Sequence, residues 1–338
     1  MSRNSIFTFT EKGLYCPAGD FFIDPSRPVE RALITHGHAD HARRGMTFYL
    51  ATHDALPVIR HRLGNIQAQG IHYGEVQQIG GARVSFHPAG HVPGSAQIRV
   101  EVGGEVLVAS GDYKIVDDGI SAAFEPIQCH HFITESTFGL PIFRWESQAC
   151  VAAEINAWWA QCVAAGKTAF LGAYSLGKAQ RLMSMLDPNI GPILTHASIE
   201  STNEILRDQG FKLPDTRLAQ DGSTHKGFSG AIVIAPPSAL TGEWADQFGP
   251  RETGFASGWM AVRKMRRSRA ACDRSFVISD HADWDGLLWA ISQTESENIY
   301  VTHGYTENLT RYLNESGWRA RVVPSKFKKG NHAESEGI

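Results

Sequence analysis

The chain alternates short apolar runs, rich in β-branched residues, with segments of helical periodicity. Strands are predicted at residues 21–24, 31–36, 83–87, 97–112 and 131–135, where 97–112 is a hairpin turning at Gly103-Gly104. A helix is predicted at residues 148–165, with Trp158 and Trp159 on its apolar side as core residues. This alternation is typical of a layered α/β protein.

The pattern restarts after the long helix. Strands are predicted at residues 168–174, 192–196 and 231–235, and helices at 176–186 and 200–209. Residues 236–257 contain many Pro, Gly and polar residues, which predicts a loop or a connection that bears a lid. The α/β pattern then returns with strands at 276–279, 298–303 and 319–323 and helices at 284–293 and 306–316. The middle segment is therefore predicted to be a second α/β unit, able to form a domain of its own.

Composition narrows the class of protein. A length of 338 residues with 42% hydrophobic and 20% charged residues permits a sizeable core and suggests about two domains. The formal net charge of −3 provides no overall positive field toward nucleic acid or anionic membrane. The five cysteines form no C-x-x-C pair, which argues against a disulfide framework or a thiolate zinc site. With no leader-like start and no run of 18 apolar residues, we expect a cytoplasmic protein without a membrane partner.

The clearest chemical signal follows the second predicted strand. An apolar run ends directly in four potential metal ligands: His36, His38, Asp40 and His41. Ligands of open α/β sheets gather beyond the carboxyl ends of strands, where side chains of neighbouring strands converge. In the spacing H-x-H-x-D-H, two histidines can face one ion while the aspartate and last histidine face another.

Further donors end other predicted strands. Asp112 and His303 each close an apolar run, and His91 lies in a turn just after one. A lone histidine at a strand end is more often structural, but beside the first cluster these three are expected to complete two coordination shells. Asp24 is expected to be a carboxylate that fixes the tautomer of a ligand histidine, the alternative being an ordinary turn residue before Pro25.

These residues resemble a known family. The order Asp24, H-x-H-x-D-H at 36–41, His91 and Asp112 resembles motifs one to four of the metallo-β-lactamase superfamily. The remainder is similar to the β-CASP nucleases, with TESTFG at 134–139, SDHAD at 279–283 and THG at 302–304 as their three additional motifs. The segment AYSLGKAQ at 173–180 is similar to the loop and helix that begin their cap.

The resemblance implies an architecture and a substrate class. The fold would be a metallo-β-lactamase αββα sandwich, residues 1–147 and 275–338, with an inserted α/β β-CASP cap at 148–274. Within the group the chain is most similar to bacterial DNA damage response exonucleases associated with DNA ligases, which implies a DNA substrate and a functional association with an ATP-dependent DNA ligase. His303 keeps an RNA substrate open, because RNA-directed members have this histidine and eukaryotic DNA-directed members usually lack it.

The resemblance also assigns roles. Site one would be His36, His38 and His91, site two Asp40, His41 and His303, and Asp112 would bridge them. The predicted catalytic residues are Asp40, His281 as general acid and Glu135 as its orienting partner; the alternative for His281 is a helix cap. Two divalent ions are expected, zinc by the histidine-rich shells, although manganese accepts the same donors.

Each candidate substrate contact has two possible interpretations. Ser175 and Lys178 open a predicted helix and could hold a phosphate, or could simply start that helix. The basic run at residues 263–269 is either a nucleic acid track or a solvated helix face. The expected function is a metal-dependent phosphodiesterase, a DNA exonuclease in DNA repair. The alternatives are a ribonuclease, a small-molecule ester or thioester hydrolase, and a scaffold that binds nucleic acid without cutting it.

Overall fold

The computed structural model describes residues 5–219, 230–262 and 272–324, which form two compact units. Of these residues, 5–117, 121–141 and 281–324 belong to the first unit, and 118–120, 142–219, 230–262 and 272–280 belong to the second. Both combine helices with sheets, so the predicted mixed α/β class is confirmed. The chain returns to the first unit at residue 281. The boundary predicted from the sequence, residue 275, lies within the strand Arg274–Phe276, which pairs in the sheet of the second unit.

The first sheet of the first unit carries the metal-ligand loop. Its strands, in order across the described sheet, are β1 (Thr8–Thr10), β2 (Gly13–Cys16), β3 (Phe21–Ile23), β4 (Arg31–Leu33), β5 (Phe48–Thr52) and β6 (Ala68–Ile71). The strands β3 to β6 are parallel. Helix α1 (Leu56–Leu63) packs Ile59 and Leu63 against Ala32 and Tyr49 on one face of this sheet.

The second sheet combines strands from both parts of the first unit. Its described strands are β7 (Val76–Ile79), β8 (Ala82–Pro88), β9 (Ala96–Val102), β10 (Glu105–Ala109), β11 (His131–Thr134), β18 (Asn298–Val301) and β19 (Ala320–Val322), in the order β19-β18-β11-β10-β9-β8-β7. One face shares an apolar cluster with the first sheet, in which Leu33 and Leu50 pack with Ile98 and Leu107. The other face is covered by two helices, Trp284–Gln293 and Thr306–Glu315.

The second unit has a parallel sheet. Its described strands are β12 (Thr168–Gly172), β13 (Ile193–Thr195), β14 (Arg217–Leu218), β15 (Ile232–Ala235), β16 (Arg251–Ala256) and β17 (Arg274–Phe276), in the order β14-β13-β15-β12-β16-β17. Its described α-helices are α2 (Gln148–Ala164), α3 (Lys178–Ser184), α4 (Ala197–Asp208) and α5 (Glu243–Asp246). Trp158 and Trp159 of α2 are buried core residues, as predicted.

One predicted connection is wrong. Residues 236–257, expected to be a loop, contain a short 3-10 turn (Pro237–Ala239), helix α5 and strand β16. The strand β16 pairs with both β12 and β17. Gly254 in β16 contributed to the loop prediction. In the structure it allows Trp158 and Phe276 to pack closely, because a Cβ at this position would lie 3.0 Å from both.

Across the three described ranges, no helix combines the length and the apolar character needed to span a membrane.

Candidate metal centre

The first group of donors lies beyond the ends of β4, β8 and β10. His36, His38, His91 and Asp112 are buried, and each offers a ligand atom within 4.8 Å of the others. Nδ1 of His38 lies 3.1 Å from Nε2 of His36 and 3.2 Å from Nε2 of His91. Burial and the neighbouring histidines hold the pKa of His36 well below its ordinary value, which favours the neutral imidazole that binds metals.

A second group adjoins the first through Asp112. Nε2 of His41 lies 3.4 Å from Oδ2 of Asp112 and 3.6 Å from Oδ2 of Asp40. The same Oδ2 of Asp112 is 3.6 Å from Nε2 of His36, so this carboxylate faces both groups. The ring of His303 is centred 5.6 Å from that of His41. Asp40, His41 and His303 line one cavity of about 140 Å³.

The donors fit divalent metal ions. Oδ1 of Asp40 is buried and accepts no hydrogen bond from any described residue. A buried carboxylate oxygen without a donor is costly, and a divalent cation would satisfy it. Imidazole nitrogens and carboxylate oxygens are the ligands that zinc and manganese accept.

Asp24 fixes the ring of His41. Its carboxylate accepts hydrogen bonds from Nδ1 of His41 at 2.7 Å, from the Thr35 amide at 2.9 Å and from the Thr35 hydroxyl at 2.6 Å. The bond to Nδ1 places a proton there and turns Nε2 toward Asp112 and Asp40. Thr35 was not identified from the sequence, although its position directly before the first ligand histidine could have indicated a role at the site.

The charges of this group reinforce one another. Burial disfavours the imidazolium of His41, but the carboxylates of Asp112, Asp40 and Asp24 outweigh it and raise the pKa of His41 well above its ordinary value. Burial likewise opposes ionisation of Asp112, and His41 outweighs it, so the pKa of Asp112 is well below its ordinary value. Both shifts include the attraction between the imidazole of His41 and the carboxylate of Asp112, whose Nε2 and Oδ2 lie 3.4 Å apart.

Glu135 and His281 form a second buried pair beside the first group. Nδ1 of His281 lies 3.0 Å and 2.9 Å from the two carboxylate oxygens of Glu135, and its ring is centred 4.6 Å from that of His91. The backbone of Tyr113 holds both partners: its amide donates to Glu135 at 2.8 Å, and its carbonyl accepts from the Ala282 amide at 2.7 Å. Sequence reasoning missed Tyr113, since its contribution comes from the main chain.

Comparison with known proteins gives relatives of two kinds. No family model matches the chain. A protein of Opitutus terrae named "Probable DNA ligase" is 29% identical over 324 residues, which cover 92% of this chain and 30% of that protein. The endoribonuclease YSH1 of Candida albicans is 32% identical over 121 residues, which cover 35% of this chain and 13% of that protein. This chain thus spans less than a third of either relative.

These relatives agree with a resemblance of the chain to the β-CASP group of the metallo-β-lactamase superfamily. The resemblance predicted from the motifs is confirmed. A crystal structure of an Enterococcus faecalis protein of unknown function matches with a TM-score of 0.59 at 11% identity, covering 88% of this chain and 79% of that one. At that identity the likeness concerns the fold alone.

The β-CASP motifs occupy distinct places around the donors. Glu135 of the first motif pairs with His281 of the second. The alternative role of His281 as a helix cap is filled by Asp283, whose side chain accepts from the Gly286 amide at 2.8 Å. His303 of the third motif is exposed and has a left-handed backbone with φ of 51°.

The predicted phosphate contacts lie in the second unit and have other partners. Lys178 is 1% exposed, with its Nζ 3.7 Å from Oδ2 of Asp280 and 5.1 Å from the centre of the Tyr174 ring. A buried ammonium facing a carboxylate does not provide the exposed charge that a phosphate contact requires, so this placement does not support the role predicted for Lys178. Oγ of Ser175 lies 3.2 Å from that of Ser198. The basic run at 263–269 lies outside the described residues.

Proposed function

We propose that this chain is a metal-dependent phosphodiesterase that cleaves nucleic acid. The observation that carries the proposal is the buried donor cluster of His36, His38, His91 and Asp112 beside the hydrogen-bonded pair of Glu135 and His281. A donor cluster alone suits many hydrolases. The added imidazole–carboxylate pair suits a reaction whose leaving oxygen needs a proton, as the alkoxide of a phosphodiester does.

The residues present divide into two shells. His36, His38 and His91 would hold one ion, and Asp40, His41 and His303 the other, with Asp112 shared. Two divalent ions bound there would lower the pKa of a water nucleophile and stabilise the charge that develops in an in-line displacement. Zinc suits the histidine-rich set, and manganese accepts the same donors.

Side chains of the protein orient the histidines of the site and supply a proton. Asp24 holds His41 by Nδ1, so only Nε2 is presented to the centre. Glu135 holds His281 by Nδ1, and in the protonated imidazole the proton on Nε2 would pass to the leaving oxygen. Asp40 contributes a half-buried carboxylate, whose Oδ1 is buried, both as donor and as a catalytic group.

For the substrate we propose DNA, and for the task exonuclease action in DNA repair. The relative named as a probable DNA ligase supports this, because its similarity extends over 92% of this chain. The same similarity supports a functional association with an ATP-dependent DNA ligase. RNA is the second candidate, supported by the relative named an endoribonuclease and by His303. The Glu135–His281 pair weighs against a small-molecule thioester as substrate, because a thiolate leaves without a proton.

We propose that the first unit is a metallo-β-lactamase αββα sandwich and the second a β-CASP cap. In support, the apolar cluster shared by the two sheets of the first unit is flanked by α1 on one outer face and by two helices on the other. A cytoplasmic location fits five free cysteines, three of them buried.

The substrate test uses four end-labelled polymers. Single- and double-stranded DNA and RNA are digested by the full chain with added zinc or manganese, and products are resolved by length. Single nucleotides released from DNA support the proposal, and internal RNA fragments support the second candidate. No cleavage of any polymer, with both metals bound, would overturn both.

A further inference from the structure

One arginine holds the loop that carries three of the predicted ligands. The loop, residues 37–42, contains His38, Asp40 and His41. Arg62 in the last turn of α1 donates from Nε to the Gly37 carbonyl at 3.1 Å. Its Nη2 donates to the His38 carbonyl at 3.3 Å and also to the Ala42 carbonyl. A single guanidinium thus contacts both ends of the loop.

A second arginine, beyond the loop, donates hydrogen bonds to the end of α1. Arg44, two residues beyond the loop, donates from Nη1 to the Leu63 carbonyl at 3.2 Å and from Nη2 to the Arg62 carbonyl at 2.7 Å. These are carbonyls of the last turn of α1, which the helix itself leaves without partners. We call Arg62, Arg44 and these contacts the arginine clasp.

The clasp acts on the path of the main chain. Every acceptor of Arg62 in the loop is a backbone carbonyl, so the guanidinium leaves the ligand side chains available. His38 belongs to the first donor group, while Asp40 and His41 belong to the second. Because metal–ligand distances tolerate only a few tenths of an ångström, a shift of this loop would misplace donors of both groups together.

We propose that Arg62 is a positioning residue of the metal centre: through the clasp it holds residues 37–42 in the path that binds metal, and so sets the affinity for both ions. The proposal rests on the ligand assignment of the proposed function. Lysine cannot replace this arginine, because it has a single ammonium instead of a planar fork of five N–H donors. Partners that orient ligands typically contribute about 10- to 100-fold to metal affinity.

The test compares two conservative variants of one helix. Arg60 lies on the same helix and donates one hydrogen bond, at 3.1 Å to the Ala68 carbonyl, away from the loop. Full-length wild type, Arg62→Lys and Arg60→Lys are freed of metal and titrated with Zn²⁺ and Mn²⁺ against a chromophoric chelator. We expect about 10- to 100-fold weaker binding for Arg62→Lys, an altered Co²⁺ absorption spectrum, and wild-type behaviour for Arg60→Lys.

The other possible results contradict either the positioning role of Arg62 or the proposed function. If wild type binds two ions and Arg62→Lys binds them equally well, or if Arg60→Lys weakens binding as much, the positioning role is overturned while the ligand assignment stands. If wild type binds no divalent ion, the proposed function itself fails. Should Arg62→Lys not fold, Arg44→Gln, which removes only the return contacts, takes its place, and unchanged affinity in that variant overturns the clasp.

Discussion

At the scale of single residues, several donors of the candidate centre are held by a neighbour that fixes their direction. Asp24 holds His41, Glu135 holds the proposed acid His281, and Arg62 holds the loop of residues 37–42. Metal centres and general acids depend on such neighbours, because an imidazole must present a chosen nitrogen in a chosen protonation state. Variants at this scale should therefore separate metal binding from proton transfer.

The variant His281→Ala should lose proton donation and keep the metals. We expect turnover of a natural phosphodiester to fall by about two to four orders of magnitude, the usual contribution of a general acid. Metal content should stay at the wild-type level, because Nδ1 of His281 is bonded to Glu135 and His281 lies outside both proposed shells. The comparison substrate is bis(p-nitrophenyl) phosphate, whose leaving group departs without a proton. Equal losses on both substrates, or loss of a metal, would refute the acid role.

The raised pKa of His41 predicts how metal affinity depends on pH. Burial opposes the charged form, but Asp112, Asp40 and Asp24 raise the pKa of His41 above its ordinary value of 6.5. A metal ion must displace this proton, so affinity should decrease as pH falls, by up to about tenfold per pH unit, and competition should persist above pH 6.5. Chelator-competition titrations across the pH range measure this. Asp24→Asn should reduce the dependence, and a flat profile in wild type would contradict it.

Much of the candidate centre was visible in the sequence. The predicted ligands are histidines and aspartates at or just after the ends of apolar runs. Three histidines and one aspartate seldom occur by chance within six residues at such a place. Thr35, Tyr113 and Arg62 were missed because they act through backbone groups or through neighbours distant in sequence, and neither leaves a local pattern. The placement of Lys178 was also unpredictable, since its partner Asp280 is far along the chain.

At the scale of elements, the strands that lead into predicted ligands, β4, β8, β10 and β18, were predicted from the sequence, whereas several others were not. The strand β5 and helix α1 were overlooked, and β16 was predicted to be a loop because glycine and polar residues interrupt it. In a parallel sheet, pairing on both sides compensates for such a sequence. Burial against a distant tryptophan cannot be read from a local window.

The turn after β18 gives an element-scale prediction. Gly304 has φ of 71°, and an added Cβ would lie 2.1 Å from the Ser136 carbonyl oxygen, which accepts the Tyr305 amide at 2.8 Å. Gly304→Ala should cost more than about 3 kcal/mol of unfolding free energy, from left-handed strain and the clash. Gly317, with φ of 93° and open space around it, is the control, and Gly317→Ala should cost about 1–2 kcal/mol. Equal costs in urea unfolding would contradict the close approach.

At the scale of the whole molecule, the first unit depends on two separate parts of the chain. The strand β11 pairs with β18, and Phe132 packs against Leu287 and Leu309. A chain ending at residue 145 would expose this apolar face and leave β11 at an edge, so it should not fold or bind two metals. Joining residues 1–141 to 281–338 by a Gly-Ser linker should restore folding, as measured by circular dichroism. A stable, metal-binding 1–145 fragment would refute the discontinuous unit.

The central claim, a two-ion centre with Asp112 shared, is tested most directly by metal content measured together with turnover. The full chain and Asp112→Asn are loaded with zinc or manganese, dialysed, analysed for metal per chain and assayed on a phosphodiester. Because Oδ2 of Asp112 faces both donor groups, we expect two ions and activity in wild type, and fewer ions, no turnover and an unchanged fold in the variant. Two ions and normal turnover in Asp112→Asn would contradict the account.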